Sequence, residues 1–389
     1  MEFDSIVNIL IIIGLILILI ELNHNLKVIS PLELTSKDWK KIKSKSLIKI
    51  EGWIEVYNKQ KNMEIMIPEF NIFPRIMGIN YSKDIKVSTL ITPHHKDIDS
   101  REDNYWQAYI VKSGKSTLIK ICIEIEDLSN NLLLENLNNI WLDIIWVNYG
   151  PFGRREKKDG ILIPIKNNKL VEKEVTFIDR KNFKLLPIKT HLLGVLDDPI
   201  KICNEYTNGI LKSGDIITLG ETPLAIMQGR YRHPSSIMPG LVAKTLCRLF
   251  HPTSSLATAC GLQSLIDIVG PSRIIFSCFF GAVLKIIGFK GYFYRFAGEQ
   301  ARLIDDITGT TPPYDQTIVL GPIFCDEICN KISTQLGVEV AIVDVNDLGH
   351  VKVLASSSNK IKTILKEALR SNPAGNSNEQ TPLVLVRPS

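Results

Sequence analysis

The sequence predicts three parts in order: a transmembrane helix at the N-terminus, an all-β sandwich-like domain, and a C-terminal domain of α/β (α+β) type. Three observations carry that reading. An apolar run near the N-terminus is broken by one polar residue, a period-two alternation of isoleucines dominates residues 46 to 180, and beyond about residue 186 helical periodicity alternates with short apolar strands. A chain of 389 residues has room for two or three domains, each with its own core. Charged residues at 22% and apolar ones at 45% are ordinary for a globular protein. The formal charge of +5 is too small for this length to argue for a nucleic-acid polymer as partner.

From Ile6 to Ile20 the chain reads "IVNILIIIGLILILI", with Asn8 its one polar residue. Phe3 to Leu22 would just cross a bilayer with its flanks snorkelling. A cleaved signal peptide is the rival. It fits poorly, because Glu2 and Asp4 stand where a basic region is expected and "IELNHNL" has no small-residue cleavage site. Acids before the segment and lysines after it place the C-terminal bulk in the cytoplasm. Residues 1–24 are therefore read as a single-pass membrane anchor. Residues 25–45 follow as a basic linker, with Lys37, Lys40, Lys41, Lys43 and Lys45 able to touch anionic lipid.

Residues 46–185 read as a β-rich accessory domain. In "SLIKIEGWIEVY" Ile48, Ile50, Ile54 and Val56 share one strand face, and in "TLIKICIEIED" Ile119, Ile121, Ile123 and Ile125 do the same. Further strands are expected at "NYWQAYIVK", "IWLDIIWVNYG" and "GILIPI", with turns at "DIDSREDN" and "NYGPFGRREKKDG". "KSGKST" (112–117) ends like a phosphate-binding loop, but Tyr109 stands where that motif needs glycine, and a strand follows where it needs a helix. Ser113 and Gly114 read as a hairpin turn.

Residues 186–389 alternate strands and helices. Strands are expected at 214–220, 338–345 and 382–388, and helices at 238–250, 255–270, 324–337 and 359–373. Ser255 suits the N-cap of the second helix and Gly270 its stop. The apolar segment 273–289 is interrupted by Lys285, leaving a run too short to span, and is read as buried core. The seven cysteines show no CxxC pair and no zinc spacing, which fits reduced thiols, with Cys325 and Cys329 as plain buried residues.

Two acidic turns offer hard oxygen ligands at the ends of apolar stretches. One carries Asp305 and Asp306, the other Asp344, Asn346 and Asp347. Paired carboxylates from separate segments suit a nucleotide-bound Mg²⁺, although Asp and Asn beside Gly and Pro also make ordinary turns. GxGxxG, GxSxG and HExxH are absent from the sequence. His94 and His95 read as members of a polar loop, and His191 as a surface or capping histidine.

The stretch 189–231, "KTHLLGVLDDPIKICNEYTNGILKSGDIITLGETPLAIMQGRY", resembles the opening of the coenzyme F420-0:L-glutamate ligase (F420-0 gamma-glutamyl ligase) family. Asp197, Asp198, Gly214, Asp215, Thr222, Gln228 and Gly229 occupy the places of that family's motifs. "RFAGEQARLIDD", "IVLGP", "AIVDVND" and "TPLVLVRP" are similar to its later segments, in the same order. The resemblance implies a C-terminal domain of gamma-glutamyl ligase type that joins L-glutamate to an acceptor through an acyl phosphate, with GTP as co-substrate and Mg²⁺ or Mn²⁺ as metal. It implies that Asp344 and either Asp305 or Asp306 hold the metal, that the backbone at Leu192 and Leu193 and the side chain of Thr222 approach the nucleotide, with Gln228 and Gly229 nearby, and that a homodimer forms. Ile226 stands where the family has a phosphate-contacting lysine, for which Arg230 and Arg232 are the nearest substitutes. Val345 replaces a metal-contacting threonine, and a shortened region leaves Glu379 and Gln380 to supply a second ligand. The alternative expectation is a non-catalytic scaffold that kept the ligase fold.

Overall fold

The computed structural model describes the chain except residues 1, 26–31, 61–62, 79–83, 100, 102, 104, 130–132, 166–175, 181, 308, 347, 376–378 and 389. Asp347 of the second acidic turn thus lies outside the described residues. The N-terminal helix α1 (Glu2–Asn25) is apolar over Ile6–Leu22. Among the described residues no single helix is long and apolar enough to cross a membrane.

A β-sandwich follows. Its described strands are β1 (Leu32–Lys43), β2 (Leu47–Asn58), β3 (Ile65–Ile67), β4 (Phe70–Met77), β5 (Ile85–His94), β6 (Tyr109–Val111), β7 (Ser116–Asp127), β8 (Asn139–Gly150) and β9 (Gly153–Pro164). One antiparallel sheet has the order β1-β2-β7-β5, and the other runs β4-β8-β3-β6 with β9 on β8. The isoleucines of β2 and β7 meet in register, Ile48 opposite Ile125, Ile50 opposite Ile123 and Ile54 opposite Ile119, and all are fully buried. Side chains alternate between faces, so β2 and β7 bury one face and leave their Lys and Glu on the other.

Several expectations for this domain are corrected. The basic linker is largely the edge strand β1, paired with β2 from Leu32 to Lys43 across a break in register between Lys37 and Lys40. Lysines on an exposed edge are a common protection against further strand pairing, and here they disguise the strand. "RREKKDG" is likewise the first half of β9, reached from β8 by a tight turn at Gly153, where φ is 81°. Gly114, with φ 64°, does turn the chain between β6 and β7, but the two strands form no hairpin: β6 pairs with β3 in one sheet and β7 with β2 and β5 in the other. Of the two histidines expected in a polar loop, His94 ends β5, and His95 opens the loop after it with its ring packed inward: it stacks on Tyr109 with centroids 3.7 Å apart, and burial lowers its pKa to about 4.

The C-terminal region is mixed α/β. In chain order come β10 (Ile178–Arg180), β11 (Phe183–Ile188), α2 (Pro199–Thr207), β12 (Ile216–Gly220), α3 (Glu221–Met227) and β13 (Tyr231–Arg232). Four helices follow, α4 (Leu241–Leu246), α5 (Ala259–Val269), α6 (Pro271–Ile286) and α7 (Tyr292–Ala297). The rest is β14 (Ile318–Val319), α8 (Cys325–Leu336), β15 (Glu339–Val345), β16 (Val351–Ser356), α9 (Ile361–Ala368) and β17 (Leu383–Pro388). One sheet has the order β10-β11-β17-β12-β15-β16, and within it β12 and β15 run parallel. Helices α2 and α8 cover one face through Ile202, Cys203, Cys329 and Ile332, while α9 covers the other through Ile361 and Leu365.

Helices α4 to α7 form a separate lobe around Leu262, Leu265, Ile274 and Ala297. Gly270 ends α5 with φ 86° as read from the sequence, but the N-cap is Thr258, which accepts from the Gly261 amide, and not Ser255. Segment 273–289 is not buried core. Of α6 only Ile274, Ser277 and Gly281 are buried, because those are its positions small enough or suitably placed to meet the lobe.

The sandwich and the C-terminal region meet in a small apolar cluster of Trp141, Leu162, Tyr231 and Tyr314. The Tyr231 hydroxyl donates to the Gly160 carbonyl at 2.8 Å. A Cβ on Gly160 would lie 1.9 Å from the Trp141 ring, so glycine there seats the indole.

Candidate functional site

The parallel register of β12 and β15 sets Gly220 beside Val343. The next residue along each strand is a carboxylate, Glu221 and Asp344, so the two acids are neighbours at the carboxyl ends of adjacent parallel strands. That end of an open α/β sheet is where such folds bind ligands. A third carboxylate comes from a different segment. Asp305 is tied by its backbone to Val319, with hydrogen bonds of 2.9 and 2.8 Å, and accepts from the Thr222 hydroxyl at 3.2 Å.

All three acids line one cavity of about 440 Å³, a size suited to a small-molecule ligand. Its walls come from four other stretches: Thr190–Leu193, Thr310 to Tyr314, Asn372–Gly375 and Gln380–Pro382. Two of these carry non-glycine residues in the left-handed region, Asn372 with φ 44° and Gln380 with φ 54°. The Gln380 carbonyl accepts from the Thr190 amide at 2.9 Å, which stitches two walls together. Backbone held in sparsely populated conformations concentrates where a ligand is gripped.

The electrostatics are those of buried, crowded negative charge. Burial is the main cause that lifts Glu221 from 4.5 to about 9, and the nearby Asp344 and Asp305 add to it. Burial also lifts Asp305 from 3.8 to about 6, against the Thr222 hydrogen bond, which favours the charged form. Asp344 is raised by burial, partly offset by Lys352 and His350. The Oε2 atom of Glu221 is out of solvent and lacks a hydrogen-bond partner. An unmatched buried carboxylate oxygen is costly, and a cation would satisfy it.

Among the described residues no three His, Cys, Asp or Glu side chains stand as a ready-made metal cage. Mg²⁺ does not require one. It keeps several waters and is held by one or two carboxylates together with substrate phosphates. One or two of Glu221, Asp305 and Asp344 would suffice for that pattern, with the unmatched Glu221 oxygen as the group most in need of a cation.

The neighbouring wall holds a buried polar chain. The Tyr206 hydroxyl lies 2.6 Å from His191 Nδ1 and accepts from the His191 amide at 3.0 Å, and His191 Nε2 lies 3.1 Å from Asp197. The consistent assignment has Nε2–H donating to Asp197 and the tyrosine O–H donating to Nδ1. Asp197 also accepts from the Gly194 amide at 2.8 Å, which shapes the loop carrying Leu192 and Leu193. His191 is thus buried within a network, not a surface or capping residue.

Among known families, the model of the F420-0:gamma-glutamyl ligase N-terminal Ig-like domain matches residues 33–167. The match falls on the sandwich. It covers about a third of the chain, starting within β1, and supports a ligase-like relationship through the half that the sequence reading left without a family. Solved structures similar to the chain include a GAE domain of yeast GGA1 with P21 (16% identity, 36% of this chain and 96% of that one, TM-score 0.20). A protein from Archaeoglobus fulgidus (14%, 35% and 98%, TM-score 0.20) and the GAE domain of GGA2p from Saccharomyces cerevisiae (11%, 34% and 97%, TM-score 0.20) are similar to the same degree. Likeness at that score carries no weight for function. None of the curated proteins matches this chain.

The residues expected at the site separate into two groups. Leu192, Leu193, Thr222, Asp305 and Asp344 line the cavity, as does Gln380. Asp306, Gln228 and Gly229 are not among its lining residues. Asp306 points to the helical lobe, accepting from the Thr258 hydroxyl and from the Ile307 amide. Gln228 is clamped to the Ile323 backbone by both ends of its amide, at 2.7 and 3.0 Å, and Gly229 forms a left-handed turn after α3. Arg230 is turned to the Gly321 carbonyl and Arg232 to Asp267 at 3.0 Å, so neither supplies a cation to the cavity. Ile226 touches the cavity wall but belongs to the buried cluster at the sandwich contact.

Sequence reading missed Glu221 and Lys352, and it took the buried His191 for a surface or capping residue. Glu221 lies in "GETP", at the start of α3. Its signal was the Gly220 that ends one strand, read together with the strand that ends at Asp344. Lys352 sits opposite Asp344 across β15 and β16, reaches Glu299 at 3.5 Å, and is a basic neighbour whose field lowers the pKa of both Glu221 and Asp344.

Proposed function

We propose that the chain is a ligase-like enzyme whose C-terminal cavity takes a nucleoside triphosphate with Mg²⁺ or Mn²⁺ and joins an amino acid such as L-glutamate to a carboxylate- or phosphate-bearing acceptor. The observation that carries this reading is the meeting of Glu221, Asp305 and Asp344 in one cavity with burial holding their pKa values up. Buried like charges are stable only with a counter-cation or with protons. A metal bound there would bridge phosphates and neutralise charge that develops in phosphoryl transfer, a reaction that asks for positioning more than covalent help. Thr222 orients Asp305, the Tyr206–His191–Asp197 chain fixes the wall at Leu192 and Leu193, and Lys352 supplies local positive charge. Helix α1 would hold the chain on a membrane with the remainder in the cytoplasm, and protease protection in sealed vesicles tests that orientation.

Calorimetry on the full chain tests the cavity. GTP or ATP should bind only with Mg²⁺ or Mn²⁺, and Asp344→Ala should weaken binding by about 10–100-fold or more. Absence of binding to either nucleotide sinks the ligase reading. A second reading, a scaffold that kept the fold without turnover, is favoured by Val345 at the cavity wall and most by Ile226. Its side chain is 8% exposed in the contact with the sandwich, where the family's motif would need a lysine. Nucleotide binding without hydrolysis or product in the presence of glutamate and acceptors selects it.

A further inference from the structure

Helix α6 is built inside out. Its buried positions include Ser277 and Gly281, and a Cβ on Gly281 would stand 3.0 Å from the Phe293 amide nitrogen, so α7 packs closely against the small-residue side. The large residues face away from the protein. Phe279 is 63% exposed, Phe280 42%, Ile286 86% and Ile287 66%, and Phe289 continues the stripe at 53% beyond the helix end. Soluble helices turn such a stripe to the core, and contiguous exposed apolar surface marks an interaction site. Small residues inward and large apolar ones outward suit a helix whose outer neighbour is hydrocarbon.

The charge around this stripe is lopsided. Between Thr222 and Gly298 the chain carries eight Lys or Arg and one acid, Asp267, which Arg232 already holds at 3.0 Å. That stretch sums to 8 − 1 = +7, whereas the whole chain sums to +5, so everything else sums to 5 − 7 = −2. Exposed Lys285 and Lys290 border the apolar stripe, and the Arg295 guanidinium lies 5.2 Å over the Tyr292 ring. Basic groups beside aromatic and aliphatic ones match anionic headgroups above acyl chains. A second copy on the same face would oppose like charges. A full span is disfavoured by the shape, since α5 and α6 meet at 113° and Leu262 and Leu265 of α5 are buried in the lobe's own core.

We propose that the α6–α7 face docks on an anionic lipid bilayer, with Phe279, Phe280 and Ile286 at the acyl boundary and Lys285 and Lys290 among the headgroups. This contact is separate from the one expected of Ile6–Leu22 and does not rest on the chemistry of the cavity. It brings the helical lobe, and with it the cavity rim at Asp305, to the membrane surface.

The test uses the full chain with Phe279→Trp in vesicles of phosphatidylcholine and roughly one third phosphatidylglycerol with brominated acyl chains. The five native tryptophans lie between Trp39 and Trp146, so the unsubstituted chain in the same vesicles gives the background. The added tryptophan should emit at short wavelength and be quenched by the bromines. Quenching should collapse in phosphatidylcholine alone, in high salt, and when Lys285→Glu and Lys290→Glu are added. Phe276→Trp, on the same stripe, provides a second reporter if the first variant folds poorly. Added emission that stays unquenched in anionic vesicles overturns the proposal, whether red-shifted from a bare surface or blue-shifted from a face covered by a second copy.

Discussion

In the sandwich, Ile50, Ile121 and Ile123 are fully buried and their charged neighbours stay outside, where Lys49 reaches Glu51 and Glu124 at 3.3 Å each. In the cavity of the C-terminal region the positions are exchanged, for there the carboxylates of Glu221, Asp305 and Asp344 have been withdrawn from water, burial raises the pKa of each, and Asp344 adds to the rise at Glu221 and Asp305. Surface pairs like those of Lys49 add little to stability, so the sandwich draws its stability from apolar burial. The cavity spends stability to keep crowded carboxyl groups out of water, which is the usual signature of a binding site.

Five substitutions sharpen that contrast. Ile121→Ala, in the centre of the sandwich, should cost about 2–5 kcal/mol in denaturant unfolding, since a fully buried isoleucine leaves a cavity. Gly160→Ala should cost about 1–3 kcal/mol by pushing on Trp141, and should loosen the contact between sandwich and C-terminal region as seen in hydrogen exchange around Tyr231 and Tyr314. Glu221→Gln should do the reverse and raise the melting temperature near neutral pH while removing metal-dependent nucleotide binding. Asp306→Asn should change stability by less than about 0.5 kcal/mol and leave binding intact, whereas Asp305→Asn should impair it. Equal effects of the two adjacent aspartates would break the distinction drawn from their contacts with Thr222 and Thr258.

The pH dependence has a definite sign. Glu221 and Asp305 both have folded-state pKa values above their ordinary ones, so their contribution is complete below about pH 4 and is lost as pH rises through about 6 and on toward 9. Metal-free protein should therefore lose stability across that window in thermal melts, and Glu221→Gln should flatten the upper part of the loss. A metal-free chain that gains stability from pH 6 to pH 9 would contradict the assignment.

Much of the fold could be read from local pattern. Alternating isoleucines give β2 and β7 directly, Gly114 and Gly270 mark a turn and a helix end, and the segments from β12 to β17 follow the expected order. What local pattern misses is partnership. Strand β1 looked like a linker because its exposed edge is lined with lysine, and only pairing with β2 makes it a strand. The juxtaposition of Glu221 and Asp344 depends on the parallel register of two strands far apart in sequence. Asp305 and Asp306 are indistinguishable by spacing, yet the bridge to Val319 sends one to the cavity and the other to the helical lobe. For α6 the periodicity is the same whichever face is turned in, so the buried-core expectation had no way to detect that the small residues face inward.

The most direct measurement is the melting temperature of the full chain at about pH 8 with and without Mg²⁺ or Mn²⁺, alongside Glu221→Gln. A cation that binds only the folded cavity should raise the midpoint in proportion to the logarithm of its concentration. The unsubstituted chain should show such a rise, enlarged by GTP or ATP, and Glu221→Gln, which should already melt higher without metal, little or none. Equal shifts in both proteins, or an unsubstituted chain that ignores the metal with nucleotide present, would contradict a cation site in the cavity.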